Sequence, residues 1–233
     1  MKKRLLALSG LMAGAALFNQ QAVAELSTPP ASPAELEAAY TASIESRTED
    51  ILKPLALTDA AKSNAVHDLI ISQYRVMRAR DALIDAKLAA QGKEINYANR
   101  ASQLEAESQI LHDYFLARLA KLLTPEAIEK VKDKMTYNKV KITYDAYVSI
   151  VPGLTDADKA RMMELLKAAR EKAMDGGSAV EKSAIFQVYK DQINDYLNAH
   201  GHDVAKAYRE WEARQATAKV SSGTSNAVTN AVQ

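Results

Sequence analysis

The chain has no cysteine among its 233 residues. That absence removes disulfides, thiolate metal ligands and thiol nucleophiles together, and it leaves no residue for a lipid-anchored cysteine. Glycine and proline are sparse, with 8 and 6 residues, and there is one tryptophan. No Gly-rich phosphate loop, nucleophile elbow or zinc-protease pattern occurs. A surplus of one charge is missing too: 30 Lys and Arg face 29 Asp and Glu. Without a global positive field, nucleic acid and anionic membranes are not expected as partners.

What is present begins with "MKKRLLALSGLMAGAALFNQQAVAELSTPP". Lys2, Lys3 and Arg4 precede an apolar run from Leu5 to Phe18, and Ala22-Val23-Ala24 supplies a small-x-small cleavage signal. This order describes a secretory signal peptide over residues 1–24. The run stops at Asn19-Gln20-Gln21, short of the roughly 20 apolar residues that a membrane span needs. Cleavage would remove three of the 30 basic residues and none of the 29 acidic ones, leaving 27 against 29 and a formal balance of −2. The expected location is the periplasm or the cell exterior, with no membrane span after cleavage.

Beyond a Pro-rich lead at 25–33, the few turn residues punctuate helices. Ser32, Pro33 and Glu35 read as N-cap, first helical residue and capping-box acid. A helix from there should end near Leu52, where Pro54 stops it. "LTDA", "LTPE" and "LTDA" place Thr58, Thr124 and Thr155 as further N-caps, each followed by acids in the first turn. Helical spacing joins Val66, Leu69/Ile70, Tyr74, Met77, Leu83/Ile84 and Leu88. It likewise joins Leu104, Ile110/Leu111, Tyr114/Phe115, Leu119 and Leu122, so two long helices form an antiparallel hairpin. Gly176-Gly177 closes a later helix, Ser178 with Glu181 opens the next, Gly201 ends it, and Asp203 caps the last. The expectation is an all-α domain over 34–217, a single bundle of six or seven helices. A disordered tail is expected over 218–233, where periodicity fails.

One stretch departs from this pattern. "VKDKMTYNKVKITYDAYVSIVPGLT", residues 131–155, interleaves Tyr137, Tyr144 and Tyr147 with Lys132, Lys134, Lys139 and Lys141. Val140, Ile142 and Tyr144 alternate with Lys139, Lys141 and Thr143, which predicts an irregular or short extended segment near 136–145. Tyrosines beside irregular backbone suit a sugar site, where a ring stacks and a phenol hydrogen-bonds. The same residues suit a structural joint anchored onto a bundle. Both readings stand on the sequence.

The runs "KDKMTYNKVKITYDAY", "AREKAMDGGSAVEK" and "YKDQINDYLNAHGHD", with the Trp211 helix, resemble a family of secreted bacterial proteins classed as a domain of unknown function. The likeness covers about Leu55 to Trp211. Members of that family often sit beside genes for breaking down plant polysaccharides, pectin among them, which implies a role in exported glycan metabolism and no particular mechanism. A looser, architectural resemblance is to periplasmic helical stress proteins whose helices open with Leu-Thr-x-x-Gln. Here Ala61, Ala127 and Asp158 hold the Gln position.

Candidate site residues follow from residue chemistry. Lys190 and Asn194 sit one turn apart at the border of an apolar arc, suited to a sugar carboxylate and hydroxyls, or else to plain solvation. Arg170 can clamp a carboxylate bidentately or pair with Asp175 near a helix end. With Tyr137 and Tyr144 these form the binding set for an anionic oligosaccharide. No cofactor is expected. His200, His202 and Asp203 are the metal candidates, against a helix-end reading in which each has a capping role. His67 and His112 each precede an Asp, but neighbours on a helix do not face each other. Three functions remain open: an exported accessory protein binding an anionic plant-derived oligosaccharide, a lyase or hydrolase on the same surface with Tyr137 or Lys190 as base, and a chaperone-like envelope-stress protein.

Overall fold

The computed structural model describes residues 32–229, so the signal segment 1–24 and all of the lead but its last two residues lie outside the described residues, as do 230–233. Among the described residues every regular element is helical. They are α1 (Pro33–Leu52), a 3-10 turn (Lys53–Leu55), α2 (Ala60–Ala90), α3 (Tyr97–Leu119), α4 (Pro125–Met135), α5 (Lys139–Ile150), α6 (Asp156–Met174), α7 (Ala179–Ala199) and α8 (Val204–Thr229). The fold is all-α, with eight α-helices where the sequence suggested six or seven. None is long and apolar enough to cross a membrane.

The chain divides into two units, residues 1–39 and 40–233. In the first, the described part is the start of α1. There the Ser32 hydroxyl accepts from the Glu35 N–H at 3.3 Å, and the Glu35 carboxylate accepts from the Ser32 N–H at 2.7 Å. The second unit repeats this reciprocal device at Thr155 with Asp158 and at Ser178 with Glu181. Thr124 caps α4, with Pro125 at its first position. At α2 the cap is Asp59, whose carboxylate accepts from the Lys62 N–H at 3.1 Å, so Thr58 lies one residue outside the helix start. Each such cap satisfies a backbone donor that the helix leaves open and contributes about 1 kcal/mol. At the other end of α7, Gly201 adopts φ 91°, which lets the His202 N–H reach back to the Leu197 carbonyl at 3.0 Å.

Two apolar clusters fill residues 40–233. The first gathers Ile44, Ile70, Met77, Phe115, Leu119, Val131 and Met135 with their neighbours from α1 to α4. The second gathers Val140, Tyr147, Leu166, Ala169, Phe186, Ile193 and Leu197 from α5 to α7, with Ala207 from α8. α6 serves both: Met174 belongs to the first and Met162 to Ala173 to the second.

The segment from 136 onward corrects the sequence reading. Its irregular part is short: Tyr137 and Asn138 take left-handed φ values of 57° and 54°. Helix resumes at Lys139, and no extended strand forms. Val140, Thr143 and Tyr147 are buried together, at spacings of three and four, while Ile142 faces solvent. A five-residue window satisfied a period of two by chance, and the helical period shows only when the run extends to Tyr147. Leu83, Ile110 and Tyr114 also differ from expectation, being 74%, 71% and 62% exposed while Ile84 and Phe115 take the core positions. The segment from 218, where the sequence shows no periodicity, has helical backbone to Thr229.

Leu166 is fully buried where α6 faces the second cluster, so Leu166→Ala should lower the unfolding free energy by about 2–5 kcal/mol in urea titration. Val188→Ala, at an exposed position on α7, should stay within about 0.5 kcal/mol of the parent.

Candidate functional site

The sequence candidates separate into two places. Lys190 and Asn194 lie on α7 against Tyr147 of α5. Tyr147 is buried, and its phenol donates to Asn194 Oδ1 at 2.7 Å, with the Lys190 carbonyl at 3.2 Å. Burial pushes the Tyr147 phenol far up, so it stays a donor throughout the physiological range. Asn194 thus has its oxygen engaged, and its amide N–H groups make no hydrogen bond among the described residues. Lys190 is half-buried, and burial, then the charge of Lys139, lowers its ammonium pKa. Lys139, the first residue of α5, is lowered by burial as well. Neither lysine makes an ion pair among the described residues. Tyr144 packs against the same apolar cluster, one turn before Tyr147.

Lys139 and Tyr147 were not among the sequence candidates. Tyr147 was visible as the third member of the buried series Val140, Thr143, Tyr147. Lys139 was one of four lysines in the tyrosine stretch, and nothing local separated it from the other three, because its partial burial comes from the fold. Tyr137 sits on the left-handed turn, and its phenol lies near enough to Tyr74 to affect that group's ionisation.

Arg170 belongs elsewhere. It is 3% exposed and its guanidinium meets three of the chain's own carboxylates: Asp133 at 2.6 Å, Glu129 at 2.5 Å and Glu171 at 3.0 Å. Its Nε is buried without a hydrogen-bond partner. The expected pairing with Asp175 is not made. Asp175 instead takes His112 Nδ1 at 3.1 Å, and its backbone carbonyl accepts from Arg80 at 2.6 Å. Glu171 bridges the group, with Lys132 Nζ at 2.9 Å and His112 Nε2 at 3.6 Å. Arg80 is also held by Asp81 and by the Ser108 hydroxyl. The result is one network across α2, α3, α4 and α6, with cations and carboxylates matched. It leaves no guanidinium for a ligand's carboxylate.

The metal candidates diverge. His200 Nδ1 donates to the Tyr196 carbonyl at 2.8 Å, His202 Nε2 meets Asp158 at 3.1 Å, and Asp203 accepts from the Lys206 N–H at 2.9 Å. Hydrogen bonds from Thr155, then from His202, hold the Asp158 carboxyl down at about 2. Among the described residues no three His, Asp or Glu side chains group as a metal site.

A family model described as "Protein of unknown function (DUF3826)" matches residues 41–217. The chain belongs to this family. The DUF3826 match runs from Thr41 in α1 to Thr217 in α8, wider than the 55–211 over which the sequence resemblance was drawn, and takes in both apolar clusters, the α5–α7 seam and the ion network. Its description says nothing of export, neighbouring genes or pectin. Comparison with curated proteins gives no match.

Within the DUF3826 domain two buried groups oppose each other in their response to pH. Asp175 first, and Glu171 next, outweigh burial and push His112 up to about 9. A raised pKa means that this stabilisation is full below the unfolded value near 6.5 and disappears as pH rises through 9. Lys182 donates from Nζ to the Ala173 and Met174 carbonyls at 2.9 and 3.1 Å, and burial pushes its pKa down to about 8. Its charged form is therefore a penalty that lifts between about pH 8 and 10.5. Stability should fall by about 2 kcal/mol between pH 6.5 and 8, before Lys182 begins to offset the loss. His112→Gln should flatten that slope, as read from urea midpoints across the range.

Proposed function

We propose that the chain is an exported helical accessory protein that binds an anionic, plant-derived oligosaccharide at the α5–α7 seam. The observation that carries this reading is the pair Lys139 and Lys190. Both are partly withdrawn from water and each is lowered by burial; neither makes an ion pair among the described residues, although the Asp191 carboxylate acts on Lys190 from a distance. Two cations in that state gain from an incoming anion what burial removes, and more than exposed lysines would. Asn194 supports the reading with amide donors beside Lys190. Tyr144 offers a half-buried ring suited to the flat face of a sugar. The uronic acids of pectic oligosaccharides combine such a face with one carboxylate per ring, and the likeness of sequence to proteins encoded beside pectin-degrading genes points to the same class.

Oligogalacturonides should raise the thermal midpoint of the full chain in a dose-dependent way and leave no product on prolonged incubation. Lys139→Ala with Lys190→Ala should abolish the shift, and Tyr147→Phe should weaken it about threefold by releasing Asn194. Appearance of cleaved product would replace this reading with the lyase or hydrolase alternative. Absence of any shift across neutral and acidic glycans would refute binding.

A second reading, a chaperone-like role, has one observation behind it. Val76, Leu83 and Ile110 are exposed and line, with Leu111, a shallow cleft of about 380 Å³ between α2 and α3. An exposed apolar strip of this kind suits unfolded clients. Suppression of client aggregation that is lost in Leu83→Lys with Ile110→Lys would favour it over glycan binding.

A further inference from the structure

A separate cleft of about 490 Å³ opens where the first half of α2 meets the end of α3 and the turn after it. Its floor is Leu69 and Leu122, with Leu69 buried in the first apolar cluster. One wall carries Tyr114, Arg118 and Lys121, and α2 contributes Asp68. The volume lies in the range of small-molecule sites, roughly 300–1,000 Å³.

Two cations and an exposed tyrosine come together at this cleft. The guanidinium of Arg118 lies over the Tyr114 ring, 5.6 Å from its centroid. An aromatic face, and not a carboxylate, therefore holds it in place. Arg118 and Lys121 make no ion pair among the described residues, whereas Arg80, Arg100, Arg170 and Lys132 all meet carboxylates. Cations near the end of a helix are favoured by its dipole, which accounts for their presence at the end of α3. The dipole does not account for an apolar floor with an exposed tyrosine beside them. Asp68 is itself oriented, by His67 Nδ1 at 3.1 Å, and His67 is held in turn by Glu45 at 2.8 Å. The cleft thus has two cations without an ion pair, Arg118 at the end of α3 and Lys121 in the turn after it, with an oriented acceptor on α2 and an apolar surface below them.

We infer that this cleft is a second binding site, for a small carboxylate ligand with an apolar face. Arg118 and Lys121 take the carboxylate, Tyr114 and Leu69 support the body, and Asp68 accepts from hydroxyl or ammonium groups at the far end. The site is independent of the α5–α7 seam and does not rest on the function proposed for it.

The test is a ¹H–¹⁵N NMR titration of the full chain with digalacturonate, which offers hydroxyls, and separately with phenylalanine, which offers an ammonium. At least one probe should move the amides of 65–69 and 114–122 in a saturable way. Arg118→Gln with Lys121→Gln should weaken that response about tenfold, and Asp68→Asn should weaken it for the probe that binds. Lys139→Ala with Lys190→Ala should leave it unchanged, which separates this site from the seam. The three cleft residues substituted, Asp68, Arg118 and Lys121, are all exposed, and unaltered amide dispersion elsewhere verifies folding. No movement in these two segments with either probe overturns the inference. So does an undiminished response in the Arg118/Lys121 variant, and so does movement confined to 139–147 and 190–194, which would still support the seam.

Discussion

A charge taken out of water has to find an opposite charge close by, and the end of α6 is where this chain meets that condition. Arg170, Glu171 and Asp175 lie within two turns of one helix, and their partners come from α2, α3 and α4. Removing one member of such a group leaves the others buried without compensation, at about 3–5 kcal/mol for a buried pair. Hydrogen bonds from His112, Lys132 and Arg170 outweigh the burial of Glu171 and keep its carboxyl at about 2, so Glu171 stays ionised across the range in which cells live. Because α6 also packs into both apolar clusters, the orientation of α2, α3 and α4 toward α6 is set by electrostatic matching as well as by apolar burial.

The neighbouring turn between α6 and α7 carries the same constraint into backbone. Glu181 accepts from the N–H groups of Gly177 and Ser178 at 2.7 and 3.2 Å and is met by Arg100 from α3. Asp81 of α2 comes so close to Gly177 that a Cβ there would collide with its carboxylate. Glycine at 177 is thus a matter of room, since its backbone is not in the left-handed region, whereas Gly201 is needed for its φ. Outside this matched network, Lys139, Lys190, Arg118 and Lys121 make no ion pair among the described residues, and Lys139 and Lys190 are half-buried as well.

What could be read from the sequence was local. Thr124, Thr155 and Ser178 announce their helices because a cap and its partner lie three residues apart, within reach of any window. The all-α class follows from the same signals. The choice between Leu83 and Ile84, or between Tyr114 and Phe115, was not readable, since adjacent apolar residues fit a helical stripe equally well until a partner helix selects one. The site divided on the same line. Lys190 and Asn194 are one turn apart and came out together. Arg170 finds Asp133 and Glu129 at separations of 37 and 41 residues, so its role as an internal hub carried no sequence signal. Lys139 stood out in sequence only as one of four lysines in the tyrosine stretch, and it is the fold that half-buries it near Lys190.

The left-handed pair Tyr137 and Asn138 joins α4 to α5 with almost no slack. The Asn138 N–H returns to the Asp133 carbonyl at 2.7 Å and the Lys139 N–H to that of Thr136 at 3.1 Å, so one helix hands its backbone directly to the next. Such a joint acts as a phase lock. One residue added there would turn α5 by about 100° about its axis, carrying Val140, Thr143 and Tyr147 off the core-facing side and taking Lys139 and the Tyr147–Asn194 contact with them. In this turn, the length of the chain and the placing of Lys139 and Tyr147 are tied together.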